Sequence, residues 1–199
     1  NAAAAFHEAC TGMGFLFLVN HGIDEGVVAR SFEASRQFHA LPMEEKLKVR
    51  MNRHQCGYMP PNVSVHRDSF ETHNTAQKAQ VSEAYKFTFD LSPDDPDFDK
   101  NRRFRGHNKW PDEETAPGVR DAFMDFHVTF EGFAQNLLSV LSVALGMPAD
   151  FFGPFFERSS SMTRIAHYPP IPDQDEEISL PGHKDLSFLS LIPPATHPG

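Results

Sequence analysis

His183 and Asp185 stand one residue apart at the head of an apolar run, Leu186-Ser-Phe-Leu-Ser-Leu-Ile192. On an extended segment, side chains two positions apart leave the same face, so this imidazole and carboxylate could grip one cation together. Such a pair supplies two of the three protein ligands of a 2-His-1-carboxylate site, whose open positions suit iron(II) and oxygen chemistry. Taken alone an H-x-D is common, and a solvated pair at a strand end is its plainer reading. No phosphate-cradling glycine loop and no G-x-S-x-G elbow competes with it. Cys10 and Cys56 lack the partners of a zinc site. His7, His39, His54, His66, His73, His107 and His127 show no ligand spacing, and His197 sits in a Pro194-Ala-Thr-His-Pro198 turn.

The elements that must position this pair follow from pattern. Alanine-rich Ala2 to Cys10 predicts a helix stopped by glycine. Gly14 to Val19 is short and apolar, bounded by an Asn20-His21-Gly22 turn, and predicts a buried strand. Asp24 can cap a helix with an apolar face of Val27, Val28, Phe32, Ala34, Phe38 and Leu41. Pro42 opens a further helix, acidic at its start (Glu44, Glu45) and basic at its end (Lys46, Lys48, Arg50). Met51 to about Ser82 reads as a long irregular loop. Ala84 to Asp90 alternates as a strand with Tyr85, Phe87 and Phe89 on one face. A long helix starts near Pro117 or Gly118, carries a stripe from Phe123 through Phe126, Phe130 and Phe133 to Ala144, and is closed by Gly146 and Pro148. Asp150-Phe-Phe begins a short helix, and Ser161 to Tyr168 and Leu186 to Ile192 read as strands.

Composition bounds the function classes. The net charge of −9, from 18 Lys+Arg and 27 Asp+Glu, argues against a nucleic-acid or anionic-membrane surface. The longest apolar run, Phe15 to Val19, falls far short of the about 20 residues that span a bilayer. Two cysteines make no disulfide framework, which implies a reducing, cytoplasmic setting. With 19 Phe against 3 Tyr and 1 Trp, the core is expected to be filled with aromatic rings. Asn1 is not an initiator methionine and Gly199 follows directly on an expected strand and turn, so the chain reads as a fragment.

Several segments stand in an order that resembles the isopenicillin N synthase-like iron(II)/2-oxoglutarate oxygenases. They are Gly14-Phe15 through Asn20-His21-Gly22, Leu41-Pro42-Met-Glu-Glu-Lys-Leu47, Gly57-Tyr58, Asn108-Lys-Trp-Pro111, Leu145-Gly146 and Phe151-Phe152. Arg164-Ile-Ala-His-Tyr-Pro-Pro170 is similar to that family's arginine-bearing strand ending in Tyr-Pro, and His183-Lys-Asp185 with the run after it to the family's H-x-D segment. The resemblance implies an α+β fold, with N-terminal helices and strands packed on the start of a double-stranded β-helix, or jelly roll, that the chain leaves incomplete. It implies an N-terminal dioxygenase domain over 1–112, a helical segment over 113–158 and the beginning of the jelly roll over 159–199.

By the same resemblance His183 and Asp185 are metal ligands for Fe(II), and Tyr168 helps hold a carboxylate of the cosubstrate 2-oxoglutarate or of the substrate. His167 is expected to face away from Tyr168 and miss the metal. Ala166 departs from the asparagine common in plant members. The implied activity is a non-haem Fe(II)-dependent oxidoreductase that uses 2-oxoglutarate and O2 to oxidise a small molecule. The family's distal histidine ligand and its R-x-S arginine do not occur before Gly199, so the fragment alone is expected to be inactive. Two alternatives stay open: an oxidase of the isopenicillin N synthase type that does not use 2-oxoglutarate, and a binding module that has lost the metal triad.

Overall fold

The computed structural model describes residues 2–61, 82–98, 103–170 and 187–194. Helix α1 (Ala2–Thr11) is followed by an extended stretch and then by α2 (Glu25–His39). Asp24 caps α2 as its spacing predicts, its Oδ1 accepting from the Gly26 N–H at 2.9 Å. Pro42 precedes α3 (Met43–Lys48), and strand β1 (Gly57–Met59) comes next. Strand β2 (Glu83–Phe87), the long α4 (Val119–Ala144), the short α5 (Gly153–Phe156) and strand β3 (Thr163–His167) complete the order. Helix α4 ends as expected at Gly146, whose φ of 72° lets the chain turn where a side chain would be strained.

The three strands form one antiparallel sheet in the order β1-β2-β3. Its register sets Tyr58 opposite Tyr85 and Tyr85 opposite Ile165. Helix α2 packs on α4 and touches β3, and α1 also packs on α4. Phe38 of α2, Tyr58, Tyr85 and Phe87 of the sheet and Phe123 of α4 are wholly buried and meet in one cluster with Val119. Phe87 and Phe123 stack with centroids 5.3 Å apart, and Phe38 tilts on Tyr85 at 4.8 Å. The expected aromatic core is therefore present, at the junction of the helices and the sheet.

Four expectations need correction. Residues 14–19 form no strand: a strand exists only against a partner backbone, and none of the described residues pairs with this segment. Phe15, Phe17 and Val19 are exposed instead of buried. The stretch expected to be loop from Met51 onward contains β1, whose Gly57 lets the chain approach its own earlier backbone: Tyr58 N donates to Val49 O and Met51 N to Tyr58 O, each at 2.8 Å. The strand expected over 186–192 is absent from residues 187–192, where Phe188 packs its ring on Phe152 and Phe156 of the α5 region rather than entering a ladder. Strand β2 is also shorter than Ala84 to Asp90, so Phe89 lies past its end.

Candidate functional site

His183 and Asp185 lie outside the described residues. Among the described residues no three His, Cys, Asp or Glu side chains converge to hold a metal ion. Tyr168 is described. It follows directly on β3, is 44% exposed, and its hydroxyl accepts from Arg164 Nη1 at 3.4 Å. That contact leaves the phenolic O–H free to donate, so Tyr168 and Arg164 offer adjacent donors of the kind a carboxylate takes. The donor set fits the carboxylate-holding role that the resemblance implies.

His167 reaches the opposite face, where its Nδ1–H donates to Glu83 Oε1 at 3.0 Å. Glu83 is the centre of a buried polar cluster that the residue spacing did not announce. Lys46 Nζ donates to Glu83 Oε2 at 2.8 Å and to the His39 carbonyl at 3.1 Å, and the Tyr58 hydroxyl donates to the same Oε2. Burial pushes the Glu83 carboxyl up, but the hydrogen bonds from Lys46, Tyr58 and His167 outweigh it and hold the group below its ordinary value. Burial and the adjacent Glu83 push the Tyr58 phenol up, so Glu83 is the anion and Tyr58 a neutral donor. One carboxylate thus ties α3, β1 and β3 to β2. In the sequence Lys46 stands out only as a basic residue at the end of α3 and within the Leu41–Leu47 segment, and neither feature points to Glu83.

His21 and His127 are engaged within the fold. His21 Nδ1 accepts from the Ile23 N–H at 3.1 Å within a turn in which Asn20 and Gly22 have positive φ. His127 links α4 to β3 through the Thr163 hydroxyl at 2.8 Å. Cys56 is buried and its thiol is pushed up by that burial, against any nucleophilic role. A cleft of about 410 Å³ between Phe89, Arg105, Glu131 and Arg158 has most of its charged lining already engaged: Arg105 and Arg158 both meet Asp97, and Glu131 Oε1 accepts from the Ser159 hydroxyl at 2.5 Å.

The class defined so far is an α+β unit whose last strand delivers a tyrosine hydroxyl and an arginine to one face. Residues 1–113 match the family described as non-haem dioxygenase in morphine synthesis N-terminal. The chain belongs to this non-haem dioxygenase family. Kihadalactone A synthase LFS of Citrus sinensis is 30% identical over 197 residues, covering 96% of this chain and 56% of that protein. The 2-oxoglutarate-Fe(II) type oxidoreductase hxnY of Emericella nidulans is 28% identical over 193 residues, 93% of this chain and 53% of its own length. The chain thus spans about half the length of the curated relatives it matches. Among solved structures, JOX2 in complex with 2OG, Fe and JA superposes with a TM-score of 0.63 at 25% identity, covering 85% of this chain and 45% of that one. No helix among the described residues is long and apolar enough to cross a membrane.

Proposed function

We propose that the protein of which this chain is part is an Fe(II)- and 2-oxoglutarate-dependent dioxygenase that oxidises a small-molecule substrate in the cytoplasm. Residues 1–112 are its N-terminal domain, 113–158 a connecting helical segment, and 159–199 the opening of a jelly roll. The observation that carries this reading is the pairing of Tyr168 with Arg164 at the end of β3, in a chain that belongs to the non-haem dioxygenase family.

His183 and Asp185 would hold the metal, a neutral imidazole nitrogen and a carboxylate being donors that iron(II) accepts. Tyr168 would donate its hydroxyl proton to a carboxylate oxygen of 2-oxoglutarate, while the Arg164 guanidinium fixes the phenol from behind. When bound, iron with 2-oxoglutarate supplies the activation of O2. The chain's part is orientation: the Glu83 cluster fixes β3 against the helices through His167, and Tyr168 is the next residue. A rigid support of this kind keeps binding groups within the small tolerance that catalysis requires.

Anaerobic addition of Fe(II) to the full-length protein with 2-oxoglutarate tests the reading. A weak visible charge-transfer band is expected, absent in His183→Ala and Asp185→Ala. Iron binding without the band would favour the oxidase that does not use 2-oxoglutarate, and no iron binding at all would favour a binding module.

A further inference from the structure

We propose that the face of the β2–β3 pair turned away from the aromatic core is an anion site in which Lys86 and Arg164 hold a carboxylate of the molecule to be oxidised. The inference deepens the dioxygenase reading and rests on it. Lys86 and Arg164 are direct cross-strand partners. Side chains alternate along a strand, so both leave the face opposite Tyr85, Phe87 and Ile165, which belong to or pack on the core. Like charges directly opposite one another are destabilising, and Arg103 adds a third cation acting on Lys86.

The chain has acids to spare, with 27 Asp+Glu against 18 Lys+Arg. Arg30, Arg36, Arg105, Arg120 and Arg158 each meet a carboxylate. Among the described residues no carboxylate pairs with Lys86 or Arg164, whose one polar contact is the neutral Tyr168 hydroxyl. Lys86 is moreover partly buried, and burial, followed by Arg164 and Arg103, pushes its ammonium below the ordinary lysine value. A semi-buried cation held between cations is the arrangement that a bound anion would relieve. The planar guanidinium and the point-charge ammonium together match a carboxylate group. Arg164 Nη1 also lies 3.4 Å from the Tyr168 hydroxyl, so this guanidinium stands between the two carboxylates, and Lys86, on the neighbouring strand, is the cation that belongs to the substrate's.

The test uses the full-length protein and titrates benzoate and octanoate against their neutral amides by calorimetry, with Lys86→Met, Lys86→Gln and Arg164→Met alongside. Wild type is expected to take at least one carboxylate about tenfold more tightly than its amide, a preference that all three variants lose. The Fe(II)/2-oxoglutarate band is expected to persist in both Lys86 variants, which keeps failure of the site separate from failure of the dioxygenase reading. Equal carboxylate affinity in wild type and the Lys86 variants overturns the proposal. So does the absence of any carboxylate preference in wild type, and so does loss of the 2-oxoglutarate band in both Lys86 variants, which would give the cation pair to the cosubstrate.

Discussion

Lys46 Nζ lies 2.8 Å from Glu83 Oε2, and the two side chains are only 7% and 9% exposed. An ion pair this far from solvent is not a large net source of stability, because desolvating both charges costs about as much as their attraction returns. Its removal in part is another matter. Glu83 also accepts from Tyr58 and His167, so deleting one charge strands the other among groups arranged for it.

Lys46→Met is therefore expected to destabilise the protein by about 3–5 kcal/mol, and Glu83→Gln by a similar amount. The double variant should lose much less than the sum, since neither charge is then left alone. Urea denaturation of all four proteins measures the coupling. Additive losses would mean that the pair does not act as a unit.

Phe87 and Phe123 join the sheet to α4 by parallel rings, 5.3 Å apart and inclined by only 6°, both wholly buried. Phe123→Ala removes that stack and opens a cavity at the centre of the core, with an expected loss of about 3–5 kcal/mol. Phe155→Ala, at a ring 72% exposed, is expected to cost much less. The two denaturation midpoints compare the positions directly.

Features that depend on neighbours in sequence were legible. Asp24 caps α2, Gly146 closes α4, and Phe123, Phe126 and Leu137 are buried along the predicted stripe, because a cap, a left-handed turn and a 3.6-residue period are local properties. Features that depend on a distant partner were not. Phe15, Phe17 and Val19 read as a buried strand, since an apolar run signals a preference for burial but says nothing about which backbone pairs with it. Lys46 and Glu83 are 37 residues apart, and no local pattern links a lysine in a helix to a glutamate in a strand. Of the candidate site, Tyr168 was legible through the family resemblance of the segment from Arg164 to Pro170 and the orientation of His167 through strand alternation, whereas the pairing of Lys86 with Arg164 required the register of two strands.

His39 carries a pH dependence of definite sign. Its Nδ1–H donates to the Ser35 carbonyl at 2.8 Å, and its Nε2 is buried without a hydrogen-bond partner among the described residues. Burial lowers its pKa, and the neighbouring His167 and Lys46 reinforce the effect against the opposing pull of Ser35 and Glu83. The folded value lies below the unfolded value of about 6.5. Above that pH both states are neutral and the full stability is present. As pH falls below about 6.5 the unfolded chain takes up the proton first, and stability drains until the folded value is reached. The melting temperature of wild type is expected to fall more steeply than that of His39→Gln between about pH 7 and about pH 5. Parallel curves would remove His39 as a source of acid sensitivity.

Gly57 makes a sharper demand on its position. A Cβ there would lie 2.5 Å from the Val49 carbonyl oxygen and 3.0 Å from Met51 backbone atoms, at a φ of 119° that side-chain-bearing residues rarely adopt. Backbone cannot swing aside as a flexible side chain can, so Gly57→Ala must open the Arg50–Tyr58 bridge or distort β1. Either shift moves Tyr58, which donates to Glu83, and through Glu83 it reaches His167 and β3. Gly118→Ala provides the control: its φ is also positive, at 71°, but nothing lies within 4 Å of the added carbon. The control should lose about 1 kcal/mol, from left-handed backbone strain alone. Gly57→Ala should exceed it by at least about 2 kcal/mol, since clash and strain act together. Urea unfolding compares the two, and hydrogen exchange at the β3 amides should speed up in Gly57→Ala alone; equal losses with unchanged exchange would show that β1 does not transmit strain to the strand that carries Tyr168.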